Sequence, residues 1–105
     1  MGMMKRVMVR YRVKPDQIEA NAAAVRAVYE ELARERPEGL RYATVQLAED
    51  PAAFVHIAEH PADANPLFAV AAFKAFQAGV RERCAEPPVT TELLPVGSYQ
   101  LFSGT

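Results

Sequence analysis

The hydrophobic period changes several times along the chain. Residues 7–14 alternate, with Val7, Val9, Tyr11 and Val13 on one side and Met8, Arg10, Arg12 and Lys14 on the other. A period of two in β-branched and aromatic residues predicts a strand with one dry face, ended by Pro15. The period then lengthens: Ile18, Ala22, Val25, Tyr29 and Leu32 recur at steps of four and three, while Gln17, Glu19, Arg26, Glu30 and Glu31 fall outside that stripe. An amphipathic helix is predicted over 16–36. Asp16 and Glu19 supply a capping signal, Arg34 and Arg36 suit the negative C-terminal end, and Pro37-Glu38-Gly39 closes it.

Two strand-like runs follow, 40–47 and 53–60. The segment 48–52 between them, with Asp50-Pro51, predicts the turn of an antiparallel hairpin. Pro61 ends it. Asn65-Pro66 reads as an N-cap followed by proline at the first helical position. A second helix is predicted over 66–85, carrying Leu67, Val70, Phe73, Phe76, Val80 and Cys84 on one face. Pro87-Pro88 stops that helix, 89–94 reads as the last main strand, and the apolar stretch Tyr99 to Phe102 predicts a short edge strand.

The order β-α-β-β-α-β predicts an α+β, ferredoxin-like domain: a four-stranded antiparallel sheet with two helices on one face. It is expected to span 1–105, with its core over 5–96 and an apolar tail from 97. Two helices leave the other sheet face bare, yet the strands supply apolar residues on more than one face, with Ala43, Val45 and Leu47 opposing Tyr42 and Thr44. A bare apolar face predicts a homodimer with two sheets packed face to face. The alternative, a monomer with a solvated sheet as in RNA-binding domains, needs exposed aromatics and a basic field. Tyr11, Arg10 and Arg12 offer a start, but the third strand lacks the Gly- and aromatic-rich signature.

Composition narrows the partners. Twelve basic and 13 acidic residues among 105 give a formal net charge of −1, which argues against nucleic acid. No apolar run approaches the ~20 residues that span a membrane, and Arg10, Arg12 and Lys14 break up any signal-like segment. Gly2 lacks the Ser or Thr at position 6 that myristoylation wants. Cys84 is the only cysteine, so no intramolecular disulfide can form and a reducing cytoplasm is expected. Its thiol is expected to be inert on the buried side of the second helix.

The run Pro37-Glu38-Gly39-Leu40-Arg41-Tyr42, the hairpin ending Phe54-Val55-His56-Ile57-Ala58-Glu59, and a helix with Phe73 and Phe76 resemble the antibiotic biosynthesis monooxygenase superfamily. These are dimeric α/β-barrel proteins, and the resemblance covers about 5–96. It implies a fold, a homodimer and, in part of the superfamily, cofactor-free oxidation of polycyclic phenols to quinones. Glu59 matches an acidic residue that often ends the third strand. Many members carry a histidine in the second helix ahead of the aromatic pair; here Ala69-Val70-Ala71-Ala72 stand in that stretch. Haem-degrading members depend on a tryptophan, and this chain has none.

Several residues could carry chemistry. His56 and His60 lie four apart on a strand and share a face; either could serve as base or hydrogen-bond partner. No third ligand has suitable spacing, so no metal is expected, and neither is a cofactor. Tyr42 could orient a substrate hydroxyl. Phe68, Phe73 and Phe76 could wall an aromatic pocket or simply fill the core. Asn65 could contact substrate or serve only as a helix cap. Arg10, Arg12 and Arg41 could bind an anion, or pair with Glu59 or Glu92 across the barrel. The function expected is a cofactor-free monooxygenase acting on a small aromatic or polycyclic phenolic molecule. The alternative is a non-catalytic homodimer that binds a small apolar ligand or serves a structural role.

Overall fold

The computed structural model describes residues 3–103; Gly2 and the last two residues of the tail lie outside them. The elements are β1 (Met4–Val13), α1 (Ile18–Glu35), β2 (Arg41–Leu47), β3 (Asp50–Pro61), α2 (Ala71–Arg83) and β4 (Cys84–Glu92), with single 3₁₀ turns at Pro15–Gln17 and Pro66–Ala69. The sheet runs β2-β3-β1-β4, every pair antiparallel. This is the expected βαββαβ arrangement. Strand alternation sets its faces. On β1, Tyr11 and Val13 turn inward and are buried; on β3, Phe54, His56, Ala58 and His60 do the same. Cross-strand register places Val9 opposite His56 and Lys5 opposite His60, and Thr44 opposite His56 from the other side. Val25 and Val28 of α1 and Phe73, Phe76 and Val80 of α2 close over this face.

Several boundaries differ from expectation. The Asp16/Glu19 capping box does not form, and the cap residue Gln17 makes no side-chain bond. Pro15 starts a 3₁₀ turn, so Asp16 is already inside a turn and lacks the extended backbone that a capping side chain needs. The hairpin turn is only Ala48-Glu49, because Leu47 pairs with Asp50, and Pro51 sits in the first residues of β3, where no β1 residue asks for its missing N–H.

The second helix is two pieces. Asn65 caps the first, its side chain accepting from Leu67 N at 3.0 Å, but Val70 is extended and α2 begins only at Ala71. The exposed N–H groups of that new start are taken by Glu31, whose carboxylate accepts from Ala71 N at 3.2 Å and Ala72 N at 2.8 Å. Glu31 therefore faces inward, against the reading of the α1 stripe; a tertiary cap outweighs periodicity. α2 ends at Arg83, before the prolines. Pro87 and Pro88 lie inside β4, an edge strand with register shifts against β1, where a missing donor costs little. Cys84 opens β4 rather than closing the helix.

Among the described residues the tail forms no edge strand. It folds back instead: Ser103 donates from N and Oγ to the buried carboxylate of Glu59, and Arg6 Nη2 donates to Ser103 O at 2.7 Å. Arg6 Nε also pairs with Glu59 at 2.7 Å, and Arg41 stands 3.7 Å from it. Burial would raise the Glu59 carboxyl, but the bonds from Ser103 and Arg6 prevail and hold it below its ordinary value. Arg12 pairs with Asp50 at 2.6 Å and Glu86 at 3.0 Å. Arg41 and Arg12 thus have partners within their own chain, and neither needs one across a barrel. The outer sheet face remains as expected, with Val45 53% and Val89 52% exposed.

Candidate active site

A cavity of about 640 Å³ lies between α2, the Pro66–Ala69 turn and the inner sheet face, within the range of small-ligand sites. Val7, Val9, Leu67, Phe73, Phe76 and Val80 give it apolar walls. Tyr11, Tyr42, His56, His60 and Asn65 are among its polar groups, and the charged Lys5, Asp63 and Arg81 also line it. Arg10, Arg12 and Arg41 do not line this space, whereas His56, His60, Tyr42, Asn65, Phe68, Phe73 and Phe76 all touch it. Phe68 does so from the rim and is 59% exposed; Asn65 does so with its Oδ1 committed to the cap of Leu67.

The two histidines are placed for different work. His60 is buried at the end of β3, and its Nδ1 lies 2.7 Å from the carbonyl of Pro61. A carbonyl only accepts, so Nδ1 carries a proton, and in the neutral ring the lone pair lies on Nε2. His56 sits deeper, at the centre of a side-chain chain crossing the core. Tyr11 Oη is 2.8 Å from its Nε2; Tyr42 Oη and Thr44 Oγ1 are 2.8 Å and 2.9 Å from its Nδ1. Beyond Tyr11, Asn21 Nδ2 donates to the phenol oxygen at 2.8 Å, and Arg83 Nε donates to Asn21 Oδ1 at 3.0 Å. Beyond Thr44, Tyr29 Oη lies at 2.8 Å. With both nitrogens engaged, His56 is not a free base. Burial drives it down from 6.5 to about 4, so its ring is neutral. Burial also raises the phenols: Tyr11 and Tyr29 to about 12, and Tyr42 well above its ordinary value. All three stay protonated and can act as donors.

Aromatic stacking fixes the rings. Tyr11 stacks on Phe54 at 5.6 Å and on His56 at 5.4 Å; Tyr42 stacks on Tyr29 at 5.3 Å and meets Phe73 edge-on at 6.4 Å. Arg83 lies over Phe76 at 5.7 Å, which offsets the burial of its Nη2, an atom without a hydrogen-bond partner. Sequence reasoning did not single out Asn21, Thr44 or Arg83. A signal existed for Asn21: Ile18, Asn21, Val25, Val28 and Leu32 also follow helical spacing, and a polar residue inside a core stripe needs a partner. Among the described residues, no three His, Cys, Asp or Glu side chains come together as a metal site, and no helix is long and apolar enough to cross a membrane.

No family model matches the chain, and no curated protein does. Solved structures do. A protein of Nitrosomonas europaea, provisionally named an antibiotic biosynthesis monooxygenase, is 27% identical, with TM-score 0.70 over 91% of this chain and 93% of that one. Two others with the same provisional name share the fold: one from Caulobacter crescentus at 17% identity, TM-score 0.72, covering 91% and 92%, and one from Chloroflexus aurantiacus at 22%, TM-score 0.65, covering 95% and 100%. All three share the ferredoxin-like βαββαβ fold, and the Nitrosomonas europaea likeness supports the antibiotic biosynthesis monooxygenase superfamily, in line with the resemblance read from the sequence.

Proposed function

We propose that the protein is a cofactor-free monooxygenase acting on a small aromatic or polycyclic phenolic substrate, working as a homodimer through the outer sheet face. The observation that carries this reading is the cavity itself: apolar walls, a histidine lone pair at His60 and a protonated phenol at Tyr42 all face one space of about 640 Å³. The similar structures named monooxygenases support it, and Cys84 as the sole cysteine supports a cytoplasmic setting.

In this reading His60 Nε2 takes a proton from a ring methylene of an anthrone-type substrate, and Tyr42 donates to the substrate oxygen that gathers the resulting charge. The substrate anion passes an electron to O₂. The radical and superoxide couple to form a C–O bond, and the peroxide loses water as the second C–H proton leaves. The balance is CH₂ + O₂ → C=O + H₂O, with all four electrons from the substrate. Phe73 and Phe76 hold the ring plane and exclude water. Asn65 and Phe68 contribute wall and rim, and His56 holds Tyr42 in place.

The test is oxygen uptake with a panel of hydroquinones and anthrones, comparing wild type with His60→Ala. Uptake that falls in the variant supports the mechanism, and equal rates remove His60 from it. Ligand binding with no uptake by wild type on any member would favour a non-catalytic, ligand-binding homodimer.

A further inference from the structure

The side-chain chain through the core has a direction. Arg83 can only donate, so the bond from its Nε to Asn21 fixes which amide atom is the oxygen. The amide nitrogen must then donate to Tyr11 Oη. Tyr11 is buried, and with Asn21 acting as donor its own hydroxyl hydrogen has one acceptor in reach, Nε2 of His56. The opposite arrangement, Nε2–H donating to Tyr11, would leave that buried hydrogen with no acceptor at all, which a buried polar group does not tolerate without loss.

We infer that Arg83 and Asn21 hold His56 as its Nδ1–H tautomer, so that the imidazole donates toward Tyr42 and Thr44 and leaves the Tyr42 hydroxyl hydrogen free for an oxygen of the cavity ligand. Arg83 and Asn21 are then positioning residues for a group they do not touch. Gly79 lies beside the same group: a Cβ there would stand 2.7 Å from Arg83 Nη1, so a side chain at this position would make the guanidinium end shift from where it bonds Asn21. The orphaned Nη2 of Arg83 fits a side chain held for its Nε bond rather than for full satisfaction of its own donors.

This inference rests on the proposed function only for the role of Tyr42; the tautomer is a property of the resting protein. Asn21→Asp tests it with little change of shape. A carboxylate accepts from both Arg83 and Tyr11, so the Tyr11 hydroxyl reverses, Nε2 of His56 must donate, and Nδ1 becomes an acceptor that draws in the Tyr42 hydrogen.

The experiment is long-range ¹H–¹⁵N NMR of the His56 ring, without substrate, near pH 7. Wild type is expected to show a protonated Nδ1 and a bare Nε2; Asn21→Asp is expected to exchange them. Asn21→Gln, which keeps an amide, is expected to retain the wild-type pattern. A bare Nδ1 in wild type overturns the inference, as does an Asn21→Asp spectrum unchanged from wild type. If Asn21→Asp does not fold, the wild-type spectrum decides alone. Oxygen uptake does not enter the readout, so loss of the monooxygenase reading and loss of this inference are separate results.

Discussion

Tyr11 and His56 meet across β1 and β3, the phenol oxygen 2.8 Å from Nε2, with each residue only 5% exposed. The contact joins two halves of a polar chain that would otherwise leave several groups stranded in the core. Tyr11→Phe keeps the ring stacked on Phe54 but strands Asn21 Nδ2 and His56 Nε2. Urea unfolding is expected to show a loss of about 1–3 kcal/mol; unchanged stability would mean that the chain is not closed at this point.

Acid should weaken the fold through His56. Its folded value is near 4 against an ordinary 6.5. Above 6.5 the ring is neutral in both states and its contribution is whole. As pH falls from 6.5 toward 4 the unfolded chain takes a proton that the folded chain refuses, and stability drops by up to about 3 kcal/mol. Glu59, held below its ordinary value, acts lower, as pH falls through the acid range. Denaturation at pH 7 and pH 5 should therefore differ for wild type by more than for His56→Gln; equal differences would show that His56 is not buried neutral.

Gly79→Ala should break the usual rule. In a helix interior this change stabilises by about 0.5–1 kcal/mol, but here the new Cβ would press on Arg83 Nη1 at 2.7 Å. No gain is expected in wild type, and the ordinary gain of about 1 kcal/mol is expected in an Arg83→Met background. A full gain in wild type would show that Arg83 has room to move without loss.

The outer face should hold the dimer. Val45, Leu47 and Val89 are exposed there, on the side opposite the cavity. Sedimentation at micromolar concentration should give a dimer for wild type and a monomer for Val45→Glu, with the fold intact by circular dichroism. A wild-type monomer would overturn the face-to-face arrangement.

Much of this was readable from residue order because local rules governed it. The alternation of Val7 to Val13 set β1, and Asn65-Pro66 set a capped turn. The shared face of His56 and His60 and the helical spacing of Phe73 and Phe76 were legible in residue order, Tyr42 came with the family resemblance, and all five line the cavity. What was not readable depended on contacts distant in sequence. Glu31 faces inward because α2 restarts after Val70 and needs its N–H groups capped. Pro87 and Pro88 sit in a strand because β4 is an edge. Separating His56 from His60 needed the neighbours of each ring nitrogen, Tyr11 and Tyr42 for one and Pro61 for the other, and those come from strand register rather than spacing.

The most direct test of the central claim is a stoichiometry. An oxygen electrode and a peroxide assay, run with anthrone and the purified protein, compare O₂ consumed with quinone and peroxide formed. The account predicts one O₂ per quinone, no peroxide, and a rate that falls at least tenfold in both His60→Ala and Tyr42→Phe. Equimolar peroxide, or a rate unchanged in both variants, would contradict it.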